Sequence, residues 1–183
     1  REYIASYPDN VIGIKLKTDK KNSLSFSIKV NSKLNTTVYT EDNSIVLKGI
    51  CPSNVNPPYD QGENPVTYCN EDSKKGITFT QIIHLETTDG TVISKDDTMY
   101  IDNATSVIIY ICAYSSFNGW NKQPFLEGKE HYNRCLKAIA DCRKKGYEDI
   151  FNNHVQDFSA LEQKCQFNLY TDNNKNDIPT DER

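Results

Sequence analysis

Along much of this chain apolar and polar side chains alternate with a period of two, the pattern of strands that keep one face on a core and one in water. Ile12, Ile14 and Leu16 alternate with Gly13, Lys15 and Lys17, and after a polar turn over Thr18 to Ser23 the residues Leu24, Phe26, Ile28 and Val30 alternate with Ser25, Ser27 and Lys29. Two half-buried antiparallel strands are predicted there. Asn35 to Thr40 and Ser44 to Ile50 continue the series across a turn of Glu41, Asp42 and Asn43, so a meander is expected. Ile77, Phe79, Gln81, Ile83 and Leu85 then alternate with Thr78, Thr80, Ile82, His84 and Glu86. Asp89-Gly90 predicts a type I′ hairpin into Thr91 to Ser94, because that turn needs positive φ at both central residues. Met99 and Ile101 supply one more short strand.

Val107 to Tyr114 breaks the one-sided pattern. Val107, Ile109, Ile111 and Ala113 occupy one alternating set and Ile108, Tyr110, Cys112 and Tyr114 the other, so this strand is apolar on both faces and has to be covered on both. The rest of the chain is organised around it. Ser115, Ser116, Asn118 and Gly119 end the strand in a polar loop that carries two isolated large aromatics, Phe117 and Trp120. The period then becomes helical. Tyr132, Cys135, Leu136, Ile139 and Cys142 share a face, and Arg143 to Lys145 followed by Gly146 form a helix C-terminus. Tyr147, Ile150, Phe151, His154, Phe158 and Leu161 predict a second helix, Phe167 and Leu169 a short strand, and Thr171 to Arg183 a polar tail. The fold class is mainly β, an antiparallel sandwich of eight or nine strands followed by two helices. The proline-containing segment Cys51 to Gly76 is too long to be filler, and is either a packed covering loop or a substrate-side loop in which Tyr59 and Tyr68 are candidate anchors.

The chain's 183 residues suit one sizeable domain. Its 21 basic and 25 acidic side chains leave a net charge of −4 with no basic run, which argues against nucleic acid as a partner. No apolar run reaches the roughly 18 residues that cross a bilayer, so no membrane partner is expected. Of the six cysteines none has zinc-ligand spacing. Cys112 lies in the central strand, and Cys135 and Cys142 lie on one helix face. Reduced core cysteines are expected, with Cys51 to Cys69 as the one candidate bridge, and reduced thiols point to a bacterial cytoplasm with secretion as the alternative. Arg1 to Tyr7 already alternates like the inside of a strand, which predicts a piece cut from a longer protein.

Chemistry is sparse. His84, His131 and His154 stand far apart without carboxylate or cysteine at ligand spacing, so neither a metal site nor a cofactor is predicted. The acidic residues fall in turns and on helix faces, and no pair is singled out as the acid and base of a glycosidase. No catalytic residue is assigned. The candidate substrate-binding residues are Phe117, Asn118 and Trp120, whose aromatics either plug a gap under the following helix or touch a carbohydrate or partner.

REYIASYPDNVIGIKL at the start, SVIIYICAYSSFNGWNKQPFLEGKE in the centre, HVQDFSALEQKCQFNLY in the second helix and IPTDER at the close resemble, in order, landmarks of the N-terminal region of glycoside hydrolase family 95, the inverting α-L-fucosidases. The resemblance implies the later part of a β super-sandwich over residues 1–129, a helical linker over 130–170, and a tail over 171–183 leading to an (α/α)6 catalytic barrel. It implies that the acid and the water-activating group lie in that barrel, which would be this chain's partner, with a fucosylated oligosaccharide as a further one. Gly13 departs from the pattern, standing where an apolar strand residue is usual. The alternative is an autonomous carbohydrate-binding module.

Overall fold

A computed structural model describes residues 1–60 and 62–165. The predicted strand at Phe167 and Leu169, the end of the expected linker and the tail over 171–183 lie outside the described residues. Six strands form one antiparallel sheet: β1 (Glu2–Ser6), β2 (Val11–Lys17), β4 (Asn35–Glu41), β5 (Ser44–Ile50), β8 (Thr78–Thr87) and β11 (Ser106–Ser115), in the order β1-β2-β11-β8-β5-β4. Three more, β3 (Leu24–Lys29), β9 (Thr91–Lys95) and β10 (Thr98–Ala104), form a second sheet in the order β3-β10-β9. A small ribbon of β6 (Asn54–Val55) and β7 (Val66–Thr67) lies in the proline-containing loop, and helices α1 (Tyr132–Lys145) and α2 (Tyr147–Glu162) follow. The fold is mainly β with two helices at its end.

The doubly apolar strand β11 sits inside the large sheet, and its two faces serve two cores. Tyr110 and Cys112 pack with Cys135, Ile139, Cys142 and Ile150 of the helices. Val107 and Ile109 pack with Met99, Ile101 and Ala104 of the small sheet. The result is three layers, helices on sheet on sheet. Met99, Ile101, Val107 and Ile150 have no exposed surface, and each such burial is worth about 1.5–3 kcal/mol before ordering costs. Gly13 is explained by the same packing: a Cβ there would lie 3.0 Å from Ile4 Cγ1 and 3.2 Å from Tyr147 Cε2. The missing side chain lets Tyr147 and the start of α2 close onto β1 and β2, where Lys15 pairs with Glu148.

Strand pairing differs from the expected meander. β2 and β3 are consecutive but belong to different sheets, as do β8 and β9. Asp89-Gly90 is therefore a crossing between sheets and not a hairpin. Gly90 has φ +76°, and a Cβ on it would meet the Asp102 carbonyl oxygen at 2.6 Å, while the Asp89 carboxylate accepts a hydrogen bond from the Thr105 amide at 2.8 Å. The residues that read as a hairpin turn instead clamp the turn onto the β10–β11 connection. A tight hairpin with both central residues at positive φ does occur between β4 and β5, at Asp42 (45°) and Asn43 (57°).

Both helices form where predicted, with one exchange of position in α1: Ala138 faces the core with Cys135, Ile139 and Cys142, while Leu136 is exposed. In α2 only Tyr147 and Ile150 are buried, and Phe158 and Leu161 face outward. All six cysteines are free, Cys51 and Cys69 included. The long loop is held by Cys51 N–H on the Ile77 carbonyl and Asn56 N–H on the Pro65 carbonyl, and Tyr68 Oη accepts from Asn35 N–H at 3.4 Å. Tyr59, the other candidate anchor, is exposed.

Candidate functional site

Beyond β11 the chain forms a clasped loop before α1. Ser116 closes its base: its amide donates to the Thr78 carbonyl at 2.8 Å, its Oγ accepts from Thr78 N–H at 3.0 Å, and its carbonyl accepts from Lys129 N–H at 3.0 Å. Gln123 organises the tip, its Oε1 accepting from the amides of Phe125 and Leu126 and its Nε2 donating to the Lys75 carbonyl. Lys122 pairs with Glu127 at 2.8 Å. Gly128 sits so close to the base that a Cβ would lie 2.1 Å from the Pro124 carbonyl oxygen.

The three sequence-predicted residues lie on this loop and play different parts. Asn118 donates from Nδ2 to the Glu127 carbonyl at 2.9 Å, so its amide is spent on the clasp. Phe117 is 52% exposed and Trp120 93% exposed. Neither aromatic is enclosed under α1. Of the two alternatives for these aromatics, the gap under the helix is not where they lie, because the polar clasp fills the junction.

A second concave feature was not singled out by the sequence. A cleft of about 720 Å³ opens where the β4–β5 turn, the end of β8 and the C-terminal turn of α1 meet, lined among others by Asp42, Asn43, His84, Glu86, Thr88 and Arg143. The imidazole of His84 is 3% exposed, and its Nδ1 lies 2.8 Å from Ser44 Oγ. Burial holds its pKa down at about 4, with the Arg143 charge acting in the same direction and Asp42 opposing. Glu86 Oε1 lies 3.4 Å from Arg143 Nε and 3.9 Å from His84 Nε2. The signal for this site was a histidine in a strand whose neighbours Ile82, Ile83 and Leu85 are apolar on both faces.

His131 is used elsewhere, between the hydroxyls of Thr78 and Thr80, and His154 stacks on Phe158. Among the described residues no group of three or more His, Cys, Asp or Glu side chains is placed to hold a metal ion. No helix among them is long and apolar enough to cross a membrane. Among the described residues, every carboxyl whose pKa the surroundings move is lowered, as for Glu127 under its bond from Lys122 and Asp141 under its bond from Lys137. That is the behaviour of fixed carboxylates and not of a general acid.

Fold and displayed loop define the class as a helix-covered antiparallel β-sandwich domain, and the matches with known proteins carry the identification further. Residues 1–120 match the family model described as glycosyl hydrolase family 65, N-terminal domain, and the chain belongs to that family. It is 26% identical over 173 residues to "Alpha-L-fucosidase 2" of Arabidopsis thaliana, an alignment covering 92% of this chain and 20% of that protein. The resemblance to family 95 fucosidases fits this pair of matches. The chain thus spans about a fifth of the length of this curated relative.

Proposed function

We propose that this chain is a non-catalytic N-terminal part of an inverting α-L-fucosidase, with a sandwich over 1–129 and a helical linker over 130–170, and that the Phe117–Trp120 loop docks the catalytic (α/α)6 barrel of the same protein. The observation that carries the reading is Trp120, fully displayed on a loop whose own hydrogen bonds hold it in place. An indole can bury on the order of 150–250 Å² on docking, and a pre-ordered loop loses little freedom in doing so. Phe158 and Leu161 of α2 are likewise exposed apolar side chains. Inverting hydrolysis needs an acid with a raised pKa and a base about 6.5–9.5 Å away, and Glu127 and Asp141, lowered by their bonds from Lys122 and Lys137, are not such acids.

The test compares the chain with the full-length protein on an aryl α-L-fucoside. The chain alone releases no aryl alcohol and the full-length protein does. Turnover by the chain, abolished by replacing one of its own carboxylates, overturns the non-catalytic assignment. Trp120→Ala in the full-length protein weakens the association of barrel and sandwich, read as a lowered unfolding temperature. A saturable fluorescence change on adding fucose to the chain, lost in Trp120→Ala, would instead make the loop a sugar platform and the chain a carbohydrate-binding module.

A further inference from the structure

The cleft beside His84 holds an unused polar group. Ser44 Oγ lies 2.8 Å from His84 Nδ1 and 3.4 Å from the Asp42 carbonyl; with the hydroxyl proton assigned to the shorter contact, the proton of the neutral imidazole is assigned to Nε2. The nearby Glu86 carboxylate favours the same tautomer. At 3.9 Å it is beyond hydrogen-bond reach, so Nε2 has no protein partner within that distance and opens to the cleft its ring lines, unlike Tyr110 Oη and Tyr147 Oη, the unpartnered side-chain atoms sealed inside the described residues. Such a donor at a concave surface marks a place for a ligand acceptor.

The other lining groups decide what the ligand is. Asp42 and Glu86 exclude an anion, and Arg143, 3.4 Å from Glu86, excludes a bare cation. No Phe, Tyr or Trp side chain lines the cleft to stack a flat ring. What remains is a mixture of charged acceptors, charged donors and the Thr88 hydroxyl around the aliphatic Ile108. A hydroxyl both donates and accepts, so vicinal hydroxyls fit a carboxylate beside a guanidinium, with the ring's C–H face on the aliphatic side chain. The floor is preformed, because the β4–β5 turn is locked by the Leu85 amide on the Asn43 carbonyl at 2.9 Å.

We propose that this cleft binds a neutral saccharide unit, His84 Nε2–H and Arg143 donating to its hydroxyls and Glu86 accepting from them. This site is separate from the Trp120 loop, and it deepens the reading above only in that its sugars are those a glycosidase meets. The experiment reads binding by the chain itself, so its outcome is independent of whether the parent protein cleaves fucosides. The chain, labelled with 15N in histidine, is titrated with L-fucose, D-galactose and D-glucose while the His84 ring nitrogens and Trp120 fluorescence are followed together.

The expected result is a saturable shift of His84 Nε2 at millimolar sugar with Trp120 fluorescence unchanged. Glu86→Gln and Arg143→Ala each weaken the apparent affinity about tenfold or more. Thr88→Trp, placed at the exposed rim so that the core is untouched, fills the entrance and abolishes the shift even if either other variant fails to fold. The proposal is overturned if none of the three sugars moves His84. It is overturned equally if the shift survives Thr88→Trp, or if Trp120 responds while His84 is silent.

Discussion

His84 makes the fold sensitive to pH in a window of its own. Its pKa is about 4 when folded, lowered chiefly by burial and further by Arg143, and near 6.5 when unfolded. Between those values the unfolded chain binds more protons, so stability is complete above pH 6.5 and falls as pH drops toward 4, by on the order of 3 kcal/mol. Urea unfolding of the wild type and His84→Gln checks this: the wild-type stability should decline more steeply between pH 6.5 and 4.5, and parallel curves would refute it. Asp9 acts lower on the scale. Burial opposes its ionisation, but bonds from Lys145, Ser6 and Asn153 outweigh that and lower its pKa, so its contribution is lost only in stronger acid. At neutral pH, exposure separates two substitutions in the chain. Ile150→Ala should cost about 2–5 kcal/mol, whereas Trp120→Ala should stay within about 0.5 kcal/mol of wild type, both read by chemical denaturation. Sequence pattern placed Ile150 correctly. It placed His84 on the more polar face of β8, since Thr78, Thr80 and Glu86 on that face outweigh the single Ile82 that marks it as covered.

Among the elements, strands, helices and their faces were legible because period two and period 3.6 are properties of single segments. The two faces of β11 are as the alternation reads them. Partners were not legible: which strand lies beside which depends on side chains remote in sequence, as with the Asp89 carboxylate on the Thr105 amide, and a crossing can carry the same Asp-Gly as a hairpin. The Phe117–Trp120 loop was legible as a loop, while its direction was not, because it is set by Asn118, Gln123 and the close approach at Gly128. The cysteines follow from element faces. Cys112, Cys135 and Cys142 lie buried between the large sheet and α1, out of reach of a reagent, and burial also pushes the Cys142 thiol up to about 11. Thiol titration of the native protein should modify the exposed Cys165 quickly and spare these three until denaturant is added. Rapid labelling of Cys135 without denaturant would contradict the layer arrangement.

For the molecule as a whole, one strand joins all three layers. β11 pairs with β2 on one side and β8 on the other, carries the helices on one face and faces the small sheet with the other. A chain ending at Thr105 retains all ten other strands yet loses this centre and both helices. It should show no cooperative urea transition, whereas residues 1–165 should unfold in a single sharp one followed by circular dichroism. The same centrality sets a clock. Ile14 pairs with Ile109, residues 95 positions apart, so on a ribosome adding about 5–20 residues per second β2 waits on the order of 5–20 s before its inner neighbour is made. For that interval the apolar residues of β1 and β2 have no finished sheet to join, and holding them soluble falls to whatever chaperone meets the nascent chain.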